Sequence, residues 1–280
     1  MAPLDQELPN EKNMGFLEHL EELRGRLFKS ILAVVVAASV LFIKKDLIFD
    51  DVLFGPRDPE FISYKMWCEF SKLFGQGNSF CVTEIKYELK SLTMLGNFSA
   101  HFLISMIGGV IISFPLIMYQ VWAFIKPALK KKEKKSIRGV VFYSSILFFS
   151  GIAFGYFIIS PLSLQFLGSY ELGTGDNNVA VEAAIMSYVS TITSITFAAG
   201  LIFQLPILIF FLSKVGIVTA PLLRKYRRHA LVGILVLSAL ITPPDITSQV
   251  LVSIPVLFLY ELSIIIAKRQ DRKREKRNKK

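Results

Sequence analysis

Charge is scarce in this chain. Only 19% of its 280 residues are Asp, Glu, Lys or Arg, against about 25% in an ordinary soluble domain. Histidine is scarcer still: His19, His101 and His229 lie in three separate regions. The two cysteines, Cys68 and Cys81, have no histidine beside them, which excludes a zinc site by ligand spacing. No HExxH, GxSxG or phosphate-cradling loop is present. An intramembrane serine protease needs a serine with a His or Lys at depth, and His101 is the sole candidate. No enzyme activity, metal or other cofactor is expected. Residues 161–184 contain no Lys or Arg at all.

Apolar residues fill the space that charge leaves. They make up 52% of the chain, in several runs long enough to cross a bilayer, which takes roughly 20 residues. The sequence therefore reads as an all-α integral membrane protein. Its net charge of +10 sits in loops and tail, where it sets topology, and no nucleic-acid motif accompanies it.

Six spans are expected, at about 27–43, 92–124, 139–160, 184–212, 230–241 and 250–267. The last two are short: a dozen residues at 1.5 Å each cover about 18 Å of a 30 Å core. Residues 1–26 are polar and acidic, without the positive start and cleavage site of a removable leader. Within them Phe16, Leu20, Leu23 and Leu27 recur at helical spacing, which predicts an amphipathic helix lying in the interface. Four basic segments (the N-terminal part, 126–138, 214–228 and the tail) hold 25 of the 32 Lys and Arg. Loops alternate sides, so these share one face, which the positive-inside rule makes cytoplasmic, with both termini inside. The chain then divides into a cytoplasmic segment (1–26), a membrane domain (27–267) and a basic, disordered tail (268–280). Exoplasmic loops fall at about 44–91, 161–184 and 242–248. In the first, KMWCEFSKLF and VTEIKYELKSL read as short amphipathic helices. A Cys68–Cys81 disulfide would close that loop if it is exoplasmic; two free thiols is the other reading.

The stretch from Val110 to Ser136 organises the rest. Apolar helix with an internal Pro115 gives way to an aromatic band, Tyr119 to Trp122, and then to a lysine cluster holding one acidic residue, Glu133. That is the pattern of a membrane helix emerging into the cytoplasm. Glu22, Arg24 and Glu133 form a polar set on that side. Spacing alone leaves a plainer reading open. Glu18, Glu21 and Glu22 pair with Arg24 and Arg26 along an exposed face, and Glu133 is one solvated carboxylate among lysines.

Several stretches resemble the TatC family, the core membrane subunit of the twin-arginine protein translocase. They are His19-Leu20-Glu21-Glu22-Leu23-Arg24-x-Arg26-Leu27, FPLIMYQVWAFIKPALKKKEKK, GIAFGYFIISPL, FQLPI and TPPDITSQVLVSIPVLFLYEL, in the family's order. The resemblance implies a six-span, cup-like bundle in a bacterial inner membrane, with both termini cytoplasmic. It implies recognition of twin-arginine signal peptides and export of folded proteins on the proton-motive force. The partners it implies are TatA/TatB-type single-span proteins, further copies of the chain and membrane lipid. It maps two recognition carboxylates onto Glu22 and Glu133; Arg24 is expected to orient Glu22 or its helix. A guanidinium offers a planar fork that a carboxylate accepts in bidentate fashion, whereas lysine is a point charge.

Gln204 departs from the family, which often has Glu there. An amide cannot titrate, though it can bond a neighbouring helix or backbone freed near Pro206. Asp245 reads as an N-cap after Pro243 and Pro244. The resemblance adds that Thr242 and Gln249 near it face the single-span partner. A fifth span this short is expected to thin the bilayer. Two other classes remain: a secondary transporter, for which Gln204 and Glu261 are the polar candidates, and a structural anchor.

Overall fold

A computed structural model describes residues 16–73, 87–125, 137–170, 182–242 and 246–278. The membrane part begins with α1 (Phe16–Ile43) and α3 (Gly96–Ile125), two long helices packed antiparallel along their whole length. His19 stacks on Phe124 at 4.3 Å, and Phe42 stacks on His101 at 4.1 Å near the opposite ends. Between these, the Ser113 hydroxyl donates to the Ala33 carbonyl at 3.0 Å. A Cβ on Gly109 would lie 2.7 Å from that of Ala38. Lipid tails are as apolar as leucine, so small residues that bring backbones together supply the packing here. The expected interfacial helix is therefore not a separate element. It is the start of α1, continuous with the first span and held there by α3.

The loop after α1 is not featureless. It contains a π-helical turn (Leu47–Leu53), a 3₁₀ turn (Gly55–Arg57) and α2 (Ile62–Leu73). Three tyrosines tie it to the bundle. Tyr188 donates to the Leu53 carbonyl at 2.8 Å, Tyr64 to Pro56 at 2.9 Å, and Tyr156 to Val52. The second helix expected in this loop is absent at Glu88–Lys90. These residues form β1, parallel to β2 (Glu182–Ala184), and Lys90 reaches Glu182 at 2.5 Å. A partner 92 residues away decides this segment, which helical periodicity cannot reveal. Burial pushes the Tyr87 hydroxyl up to about 12, with Arg57 pulling weakly the other way, and raises Tyr64 as well.

The third span runs on past its expected end. α4 (Ile137–Phe154), a π-helical segment (Gly155–Ile159) and α5 (Ser160–Ser169) are continuous. Pro161 does not start the loop. It occupies the first turn of α5, where a missing N–H is tolerated, and the Ser160 hydroxyl donates to the Gly155 carbonyl at 2.9 Å just before it. Gly151 and Gly155 face α6 (Ile185–Ile202); a Cβ on Gly151 would lie 2.7 Å from the Ala199 carbonyl oxygen. The fourth span breaks at Phe203–Gln204 and resumes as α7 (Leu205–Val215), with Pro206 in its first turn.

Of the last two helices only α9 (Arg227–Ile241) is short, at 15 residues. Its end, Ile241, packs beside Ile202, Val252 and Val256, level with the break in the fourth span. After α8 (Ala220–Lys225) and α9 comes α10 (Ile246–Asn278), 33 residues long because the basic tail continues it. The tail is helical to Asn278 rather than disordered. Lys, Arg and Gln are strong helix formers, and two contacts hold the segment. Asp271 accepts the Ala220 N–H at 2.8 Å. Arg274 lies over Gly216 (φ +93°) at the end of α7, where unpaired carbonyls favour a cation. Among the described residues, five helical segments are long and apolar enough to cross a membrane; α9 is shorter than these.

Candidate recognition site

Glu22 sits in the second turn of α1, one turn before Arg26. The Arg26 Nε donates to Glu22 Oε1 at 3.0 Å, and Nη2 donates to the same oxygen. The other oxygen, Oε2, is buried without a hydrogen-bond partner. The side chains are 20% and 26% exposed, so the pair is partly shielded from water, and each charge counts for more there than in solvent. An unpaired carboxylate oxygen in such a place is costly unless a donor arrives. The carboxylate is thus half-satisfied.

Arg24 does not orient Glu22. It is exposed, two positions along the helix and so on another side; Arg26 does the orienting. The Glu22–Arg26 spacing of four was the signal for it. The stack of His19 on Phe124 fixes the N-terminal turns of α1 against the end of α3. From there the chain enters segment 126–136, which carries Glu133. Glu133 lies outside the described residues, as do Cys81 and Asp245. Cys68 is disulfide-bonded.

Gln204 makes two bonds to one residue. The Ser144 hydroxyl donates to Gln204 Oε1 at 2.6 Å, and Gln204 Nε2 donates to the Ser144 carbonyl at 2.9 Å. The amide thus pins the fourth-span break to α4, and a single residue fills both of its polar roles. Nothing in the sequence marks Ser144, 60 residues away, as the partner. Thr242 is likewise occupied and buried. Its hydroxyl donates to the Ser238 carbonyl at 2.9 Å, capping α9. Gln249 donates to the Leu235 carbonyl at 3.1 Å and joins α10 to α9. Glu261 pairs with Arg227 at the start of α9, at the basic end of the bundle.

These features define a multi-pass helical membrane protein with a partly shielded carboxylate held ready at its basic end. Residues 18–255 match the family model of the Sec-independent protein translocase protein TatC. The protein of that name from Blattabacterium sp. subsp. Periplaneta americana is 38% identical over 93% of this chain and 97% of its own length. The Escherichia coli K12 protein is 33% identical over 92% of this chain and 90% of its own. A crystal structure of the twin-arginine translocase receptor TatC in DDM covers 90% of this chain and 100% of its own. Its TM-score is 0.68 at 33% identity. The chain belongs to the TatC family.

Proposed function

We propose that this chain is the receptor subunit of a Sec-independent translocase and binds twin-arginine signal peptides at its basic, cytoplasmic end. The observation that carries this reading is the Glu22 carboxylate, with Oε1 bound by Arg26 and Oε2 unpartnered. An incoming guanidinium that displaces the groups covering Oε2 can donate to it. Glu133, which follows the α3 end that His19 anchors, takes the second arginine of the pair. The surrounding lysines repel cations in general, so only a peptide that pairs with both carboxylates is held.

Both termini lie in the cytoplasm of a bacterial cell whose inner membrane the chain spans. The basic segments, including the Arg227 end of α9 and the tail of α10, share that side. The Cys68 loop then lies outside, where its disulfide, with Cys81 as partner, is stable. TatA/TatB-type single-span proteins are the partners, and the role is binding and passage rather than catalysis. Because the Thr242 hydroxyl and the Gln249 amide are engaged within the bundle, partner contact falls to the outward faces of α9 and α10 beside them. Short α9 thins the bilayer beside it and lowers the barrier for a folded cargo. The solute-transporter reading fits less well, because Gln204 is fully engaged by Ser144.

Crosslinking a photoreactive twin-arginine peptide to the full chain in membranes tests the reading. Loss of crosslinks in Glu22→Gln and Glu133→Gln is expected. Undiminished crosslinking in both would overturn the assignment of the site.

A further inference from the structure

A groove of about 490 Å³ runs between α4, α7 and α10, within the roughly 300–1,000 Å³ of ordinary ligand sites. Tyr143 and Leu147 from α4, Ile207 and Phe210 from α7, and Ile266 from α10 form its apolar floor. Arg269 and Lys273 form its rim. Ile266, Arg269 and Lys273 follow at helical spacings of three and four, so they share one stripe of α10. That stripe turns from apolar to cationic where the membrane-spanning part of the helix ends. Among the described residues no carboxylate lines the groove. Both cations are exposed, and among the described residues neither has an ion pair.

We infer that this groove holds an anionic phospholipid, its acyl chain along the floor and its phosphate between Arg269 and Lys273. The floor belongs to spanning segments, so hydrocarbon fills it in any bilayer, and a free phosphate would leave it empty. The two unpaired cations select the headgroup. A zwitterionic lipid brings its own cation and neutralises neither; a phosphate diester of net negative charge neutralises them. Basic pockets at the edge of a helical bundle bind acidic headgroups for this reason. Gln270, also on the rim, adds an amide donor for a phosphate oxygen.

The test offers the full-length protein in detergent an equimolar mixture of phosphatidylglycerol and phosphatidylcholine and counts retained lipids by native mass spectrometry. Each cation near an acidic headgroup favours it about fivefold, so roughly 25-fold selectivity for phosphatidylglycerol is expected. Arg269→Gln with Lys273→Gln should bring the ratio close to one. Lys268→Gln with Arg272→Gln removes the same charge from a neighbouring cavity and should leave the ratio high. Gly139→Leu should reduce retention of both lipids, because a Cβ there meets nothing within 4 Å and a side chain can grow into the groove mouth. Excess inorganic phosphate should not displace the lipid. Equal retention of the two lipids, equal losses in the two double variants, or displacement by phosphate would each overturn the inference.

Discussion

Arg26 places two donors on a single oxygen of Glu22 and leaves the other oxygen buried and bare. An ordinary surface pair four residues apart contributes a few tenths of a kcal/mol to a helix. Here its larger effect is to fix the direction of the carboxylate. Removing the charge with Glu22→Gln should weaken twin-arginine peptide binding about tenfold to a hundredfold, the range of a charge-assisted hydrogen bond. Arg26→Gln should cost less, since it loosens the acceptor without deleting it. Arg24→Gln should cost least, since Arg24 is exposed and on another side of α1. Fluorescence anisotropy with a labelled peptide would rank the three; Arg24→Gln ahead of Arg26→Gln would contradict the orienting role of Arg26.

The packing of α1 on α3 makes a separate claim about stability. Gly109→Ala would put a Cβ 2.7 Å from that of Ala38 and 2.8 Å from its backbone nitrogen. Backbone cannot step aside as a flexible side chain can. We expect a loss of about 1–3 kcal/mol, the usual cost of overpacking, read as a lower unfolding temperature in detergent. Gly233→Ala in α9, where a Cβ meets nothing within 4 Å, should instead gain about 0.5–1 kcal/mol from helix propensity. Similar shifts in both variants would rule out the close approach as the cause.

Ser144 and Gln204 satisfy each other across two spans. Ser144→Ala removes the hydroxyl donor and leaves Gln204 Oε1 short of its partner, at a cost of about 0.6–1.7 kcal/mol. Gln204→Leu removes both of the amide's polar atoms and should cost no more than the sum of its two bonds. In a double-mutant cycle by thermal unfolding the two should be strongly non-additive. Additive effects would mean that the contact is not formed.

Alkaline pH should loosen the loop region through Tyr87. Its folded-state value is raised to about 12 from an ordinary 10 by burial, so the neutral phenol is favoured in the folded state. Its stabilisation is complete below pH 10 and is lost progressively as pH rises towards 12. Tyr87→Phe should flatten that decline in unfolding temperature. At neutral pH it should be neutral or slightly stabilising, because the Tyr87 hydroxyl is buried without a hydrogen-bond partner. A decline as steep in the variant as in the original would assign it to other groups.

Much of this architecture was legible from the chain alone, because the bilayer forces apolar runs into helices and leaves few alternatives. The runs around Val110, Phe148, Phe197 and Val256 each gave a helix close to where hydropathy placed it. The errors fell where tertiary contacts overrule local signals. Pro161 looked like a helix end, but the π-helical segment before it re-registers the ladder. The tail looked too charged to fold, yet Asp271 and Arg274 are held by α8 and the end of α7. Glu88–Lys90 had helical spacing, and β2 made it a strand. At the site, the resemblance pointed to Glu22, whereas spacing alone left it on an ordinary paired helix face. The i,i+4 spacing marked Arg26 as its partner, but the Ser144 partner of Gln204 depended on how α4 and the fourth-span break face each other.

The most direct test of the receptor reading measures equilibrium binding of a twin-arginine signal peptide and its Lys-Lys counterpart to the full chain in lipid nanodiscs. The original protein would be compared with Glu22→Gln and Glu133→Gln. We expect tight binding of the arginine peptide alone, with each glutamine variant reducing it towards the level of the lysine peptide. Equal binding of the two peptides, or full binding by both variants, would contradict a receptor built on these carboxylates.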